Sequence, residues 1–192
     1  MVKKIIAIVG MPGSGKTEAA NFFVSKGFQF IRLGQLTLDE VLKRGLEPGE
    51  ASEKPIREEL RKKHGMAAFA ILNFPKIDEM LKKSNVVVDG LYSWEEYLEF
   101  KEKYPNIIVL AINASPETRY ERLTKRKWDR KKDPEMKNRS YSMEDAKARD
   151  KAQLENLHTG PPIAMADITV VNEGTIKDLY KEVDKVMKKI KK

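Results

Sequence analysis

The feature that most constrains this chain is Gly10-Met11-Pro12-Gly13-Ser14-Gly15-Lys16-Thr17, which satisfies G-x-x-x-x-G-K-[ST] at every defined position. Ahead of it, Ile5-Ile6-Ala7-Ile8-Val9 is a continuous apolar run, as a strand buried on both faces requires. Behind it, Glu18-Ala19-Ala20 opens a helical pattern with Phe22 and Phe23 turned inward, ending at Lys26-Gly27. Glycines at 10, 13 and 15 let the backbone curl so that successive N–H groups face one concavity at a helix N-terminus, a shape suited to phosphate oxygens. Lys16 is then placed to reach the outer phosphates, and Thr17 to offer its hydroxyl to Mg²⁺. A chance Gly/Ser turn is the competing reading; strand before and helix after argue against it.

The rest of the chain continues the alternation. Apolar runs at 29–33, 86–88, 107–113 and 168–172 read as four further strands. Between them the spacing predicts helices, including one capped by Ser93-Trp94-Glu95-Glu96, one started by Ser115-Pro116-Glu117 and one capped by Ser142. Residues 159–162 read as the end of that last one, and an amphipathic helix capped by Thr175 closes the chain. The expected fold is therefore α/β: a three-layer, doubly wound, five-stranded parallel sheet with ligands at the strands' C-terminal ends, within a single domain over 1–192. Residues 35–73 hold more helix than a crossover needs and read as an insertion, with helices over 56–64 and 66–72 and another starting at Pro75.

Composition narrows the classes. The chain is 192 residues with 41% hydrophobic and 34% charged residues, no apolar run approaches a membrane span, and no signal peptide is evident. No cysteine is present, which excludes disulfides and thiolate metal sites and suits a cytosolic compartment. The net charge of +8 is read as a solvated surface around a polyanion site rather than as a nucleic-acid face, because no aromatic-interleaved or groove-reading motif accompanies it.

Several residues extend the site. Val86-Val87-Val88-Asp89-Gly90 ends a buried strand in an acid, the position from which a carboxylate approaches Mg²⁺. Arg57 and Arg61 lie one helical turn apart and could grip a second anion. Arg119, Arg122 and Arg126 fall at i, i+3 and i+7, one basic stripe opposite Tyr120 and Leu123. The following stretch, with Lys127, Arg130, Lys131, Lys132, Lys137 and Arg139 but almost no aliphatic residue, reads as a mobile basic flap, part of a lid over 126–149. No Asn-Lys-x-Asp segment is present to read guanine, and the length leaves no second domain for mechanical work. A basic lid that excludes water suits phosphoryl transfer to a small acceptor.

The chain resembles the nucleoside monophosphate kinase and dephospho-CoA kinase group, and is most similar to the archaeal dephospho-CoA-kinase-related (adenylate-kinase-related) family. The likeness runs through the glycine-rich loop, Gly34, Arg44-Gly45-Leu46-Glu47-Pro48, Leu60-Arg61 with Gly65, Val88-Asp89-Gly90, Arg122, Arg126, Arg149-Asp150, Ala166-Asp167 and Val171-Asn172-Glu173-Gly174. It implies ATP and Mg²⁺ as cofactors, a small nucleotide as acceptor, and a monomer or homodimer. It implies the loop residues Gly10 to Thr17 and Asn172 for the donor, and Thr17 and Asp89 for the metal. Lys16, Asp89, Arg122, Arg126 and Arg149 would serve the transferring group, and Gly34, Arg57, Arg61, Gly90 and Tyr92 the acceptor. Gln35, Leu38 and Tyr92 stand where the family has an acid and two arginines, all on the acceptor side. The alternative is a nucleotide-binding regulator or weak ATPase whose acceptor site has degenerated.

Overall fold

Strand β1 (Ile5–Val9) is buried at every residue, and this decides the architecture. Its backbone pairs in parallel with β3 (Val86–Asp89) on one edge and β4 (Ile108–Asn113) on the other. β2 (Gln29–Arg32) and β5 (Ile168–Val171) complete a five-stranded parallel sheet in the order β2-β3-β1-β4-β5. The computed structural model describes residues 3–126 and 141–191. The basic stretch 127–140, central to the expected lid, lies outside the described residues.

Alternate residues of the strands supply two cores. On one face Ile6, Ile8, Val87, Leu110 and Ile112 meet α1 (Lys16–Ser25) and α9 (Ile176–Lys191), through Ala19, Ala20, Phe23, Leu179 and Val183. On the other, Ala7, Val9, Ile31, Val88 and Val109 meet α4 (Ala68–Lys83) and α5 (Trp94–Lys103), through Ala70, Phe74, Ile77, Tyr97 and Phe100. The expected three-layer α/β architecture is therefore observed, with helices covering both faces because both faces are apolar.

The connection from β2 to β3 is entirely helical: α2 (Gln35–Lys43), α3 (Glu50–His64) and then α4. Two boundaries differ from the sequence reading. α4 runs unbroken through Pro75, because the missing N–H costs one hydrogen bond whereas Phe74 and Ile77 bury apolar surface on either side of it. α3 begins at Glu50, six residues before Ile56, with Pro55 inside it. Acids at Glu50 and Glu53 favour the helix start, and both pair with Arg57 one or two turns on. Residues 159–162 do not merely end a helix. They begin α8 (Gly160–Ala164), whose prolines occupy first-turn positions that need no N–H. Before it, α6 (Pro116–Thr124) and α7 (Met143–Glu155) pack against each other.

The cap of α5 sets the loop after β3. Ser93 Oγ accepts from the Glu96 N–H at 3.0 Å, while the Glu96 carboxylate accepts from the N–H groups of Ser93 at 3.2 Å and Tyr92 at 2.7 Å. Burial raises the Glu96 carboxyl to about 7 despite these bonds. Glu96 thus holds its proton more tightly folded than unfolded; its contribution to stability is full below the ordinary carboxylate value of 4.5 and is lost as pH rises through about 7. Glu96→Gln keeps the accepted bonds and removes the titration. Urea denaturation is expected to show the variant gaining on the wild type between pH 5 and pH 8, on the order of 2 kcal/mol; an equal offset at both pH values would contradict this account.

Candidate phosphate-binding cleft

At the C-terminal ends of β1 and β3, where β1 separates β3 from β4, a cleft of about 460 Å³ opens. This is the crevice in which parallel α/β sheets bind ligands. Its floor is the loop from Gly10 to Thr17. Gly10, Gly13 and Gly15 all have positive φ, and at all three the space is closed as well. A Cβ on Gly10 would lie 2.3 Å from the Ile112 carbonyl oxygen, one on Gly13 2.6 Å from the Arg119 carbonyl oxygen, and one on Gly15 2.4 Å from Asn172 Nδ2. Only glycine lets the loop sit this close to its supports.

Lys16 begins α1, reaches into the cleft and donates to the Met11 carbonyl at 3.1 Å. Burial lowers its ammonium to about 8, helped by the positive charges of Arg149, Arg126 and Arg119 and opposed by Asp89. Thr17 and Asp89 also line the cleft. Asp89 is buried, and its Oδ1 has no hydrogen-bond partner among the described residues; the same holds for the buried Ser14 Oγ beneath the loop. Orphaned acceptors in so enclosed a position fit an external ligand or cation. Asp89 faces Arg32 in register across β2 and β3, and Arg32 also lines the cleft.

The other wall comes from the helical connection and the 90–92 loop. Gly34, Gly90, Arg57, Arg61 and Tyr92 line it, joined by Phe30, Thr37 and Phe69. Arg57 is already engaged, with Glu50 at 2.5 Å and Glu53 at 3.3 Å. Arg61 lies 5.0 Å from the Phe69 ring centroid, and its buried Nε has no hydrogen-bond partner among the described residues. Thr37 Oγ1 and, across the cleft on α7, Gln153 Oε1 are likewise buried without one. Burial and the neighbouring Asp89 push the Tyr92 phenol up to about 12, so it stays a hydrogen-bond donor at neutral pH. Of the three altered positions, only Tyr92 faces the cleft. Leu38 is buried, and Gln35 Nε2 bonds Asp39 on its own helix at 3.1 Å.

The basic stripe divides. Arg126 reaches the cleft, and so does Arg149, whose guanidinium stacks 5.1 Å from the Tyr141 ring centroid and donates to its hydroxyl at 2.8 Å. Arg122 points instead at the 172–174 loop, donating to the carbonyls of Asn172 and Gly174 at 2.9 Å each. Arg119 is not on an exposed face at all: it is 4% exposed, because its guanidinium enters a network of buried acceptors. The Asn172 side chain is buried and donates to the Ser14 carbonyl at 2.8 Å, behind the loop. Arg32, Thr37, Gln153 and the engagement of Arg119 are not apparent from local spacing. For Arg32 alone a signal exists, a charged residue ending an apolar strand just before Gly34.

Fold and site define a P-loop α/β protein. Residues 6–150 match the family model described as an AAA domain. The chain is 37% identical over 189 residues to a UPF0200 protein of Pyrococcus abyssi, covering 97% of this chain and 96% of the relative. It is 35% identical over 187 residues to one of Sulfurisphaera tokodaii, covering 97% of each. The chain belongs to the UPF0200 family. The fold is also that of TT1252 from Thermus thermophilus, at 20% identity, TM-score 0.62 and 98% coverage of both chains. Shikimate kinase from Bacteroides thetaiotaomicron shares it at 18% identity and TM-score 0.59, over 96% of this chain and 98% of the other. Both relatives carry the UPF0200 name and neither is named a dephospho-CoA kinase.

The depressed Lys16 ammonium has a measurable consequence. A polyphosphate bound beside it restores the proton that burial disfavours, so binding at pH 9 takes up a proton and binding at pH 7 takes up almost none from this group. Calorimetry of ATP binding in buffers of different ionisation enthalpy is expected to show buffer-dependent heats at pH 9 only.

Proposed function

We propose that this protein transfers the terminal phosphoryl group of ATP, with Mg²⁺, to a small acceptor that itself bears a phosphate, of the nucleoside monophosphate or dephospho-CoA-kinase-related type. The observation that carries the reading is one cleft with two unlike walls: a phosphate nest with Lys16, Thr17 and Asp89 at one side, and Arg61, Tyr92, Phe30 and Phe69 at the other. The loop N–H groups and Lys16 would hold the donor phosphates. Thr17 and Asp89 would hold Mg²⁺, which supplies charge neutralisation when bound. Among the described residues no group of three or more acidic or histidine side chains could hold a metal alone, so these two would act together with nucleotide oxygens.

The protein's own work is then positioning. Arg149 and Arg126 flank the space above Lys16 and bring positive charge toward the transferring group. Arg61 offers an unpaired N–H on the acceptor wall, and Tyr92 a neutral phenol. A phosphate acceptor is already ionised at neutral pH, so transfer to it needs no general base.

The pairing of Arg57 with Glu50 and Glu53 supports a second reading, in which the acceptor wall is neutralised and the chain is a weak ATPase or nucleotide-dependent regulator. γ-labelled ATP with Mg²⁺ and a panel of nucleoside monophosphates and dephospho-CoA separates the two. Label in one acceptor is expected, whereas label only in free phosphate would favour the second reading. Lys16→Ala is expected to lower turnover by roughly 10²–10³-fold with the fold intact by circular dichroism. Arg61→Ala is expected to raise the acceptor KM about tenfold while the KM for ATP stays unchanged.

A further inference from the structure

We propose that Arg119 and Asp150 are positioning residues for the phosphate-binding loop, aiming the Gly13 N–H by holding the preceding carbonyl from behind. The inference rests on the reading of that loop as a nucleotide site. Four of the five N–H donors of the Arg119 guanidinium are committed, and every nitrogen has an acceptor. Nε donates to the Ala114 carbonyl at 3.1 Å, Nη1 to the Pro12 carbonyl at 3.1 Å and to Asp150 Oδ1 at 2.8 Å, and Nη2 to Asp150 Oδ2 at 2.6 Å. Tyr120 donates its hydroxyl to the same carboxylate at 3.0 Å. Both charged side chains are almost fully buried, at 5% and 9% exposure.

The peptide joining Pro12 to Gly13 is trans and planar, so its N–H points opposite to its carbonyl. Fixing the Pro12 carbonyl on Arg119 therefore directs the Gly13 N–H away from Arg119, and Gly13 lines the cleft. The Gly13 α-carbon also rests on the Arg119 backbone, where a Cβ would have no room. One residue pair further along, the same device recurs: Asn172 Nδ2 holds the Ser14 carbonyl, so that the Gly15 N–H is turned the opposite way. Two buried donors thus hold alternate carbonyls of the loop from below, and each leaves the next glycine N–H free to face a phosphate.

A buried ion pair contributes little stability over apolar residues of similar size, whereas removing one partner costs a great deal. Packing alone would be served by an apolar pair. A planar fork that bonds three separate acceptor groups at fixed angles is what orientation requires, and lysine cannot reproduce it. Asp150 supplies the countercharge that lets the guanidinium stay buried. It also ties α7 to the loop one residue after Arg149, which faces the cleft.

The test separates orientation from packing. Arg119→Met combined with Asp150→Leu replaces the pair by apolar side chains, and Asp150→Asn keeps its shape without its charge. Thermal midpoints and the Kd for fluorescent mant-ADP with Mg²⁺ are measured for each, together with Arg119→Lys. The double variant is expected to melt close to the wild type yet bind mant-ADP at least about tenfold more weakly. Arg119→Lys, which keeps a donor for the Pro12 carbonyl, should recover part of that affinity. Should the double variant not fold, Asp150→Asn carries the same comparison. A folded variant that binds within twofold of the wild type would overturn the proposal and reduce the pair to packing. Wild-type protein that binds no mant-ADP would instead remove the nucleotide reading itself, and this inference with it.

Discussion

A strand buried on both faces and paired on both edges can present its polar backbone to a ligand only at its ends. β1 is in that position. Its five residues fill two cores at once, so the chain must leave the sheet between β3 and β4, in a crevice whose walls are the loops after β1 and β3. The glycine-rich loop is thereby forced into the deepest part of the molecule's surface. Asp89 arrives beside it for the same reason, as the last residue of the neighbouring strand. What chemistry the protein performs is secondary to this arrangement, which any sequence with the same apolar runs would share.

Within the crevice the two walls differ in how firmly they are built. The donor side is over-determined. The loop glycines have no space for side chains, two loop carbonyls are bonded to buried donors, and Lys16 is anchored to Met11. The opposite side is built from α2, α3 and the 90–92 loop, and several of its polar atoms lack partners among the described residues. Arg44 links α2 to α3 through Glu40 and Glu59, which are partly to largely exposed and contribute little to stability. Of the residues at 35, 38 and 92 on these elements, only Tyr92 faces the cleft.

How much of this the sequence disclosed follows from the range of the interactions involved. The strands, their order of alternation with helices and the loop itself are written in contiguous residues, and their apolar patterning made them legible. Asp89 and Tyr92 were legible for the same reason, as neighbours of a strand end. Arg119 and Arg122 were not. Spacing places both on one stripe with Arg126, but two of the three guanidinium partners of Arg119 lie 31 and 107 residues away, and those of Arg122 lie 50 and 52. Pro75 misled in the opposite direction, because a local rule against proline in helices yielded to burial that a local reading cannot weigh.

The same long reach has a consequence for how the protein comes to be active. The motif occupies residues 10–17, yet its shape depends on Arg119, 107 positions from Pro12, and on Asn172, 158 positions from Ser14. A nascent chain, or one folded only as far as β4, holds the whole motif without either support. The supports of the loop are therefore complete only when the segment after β4 has docked on the sheet. A ligand that prefers the finished loop would stabilise that docking by mass action.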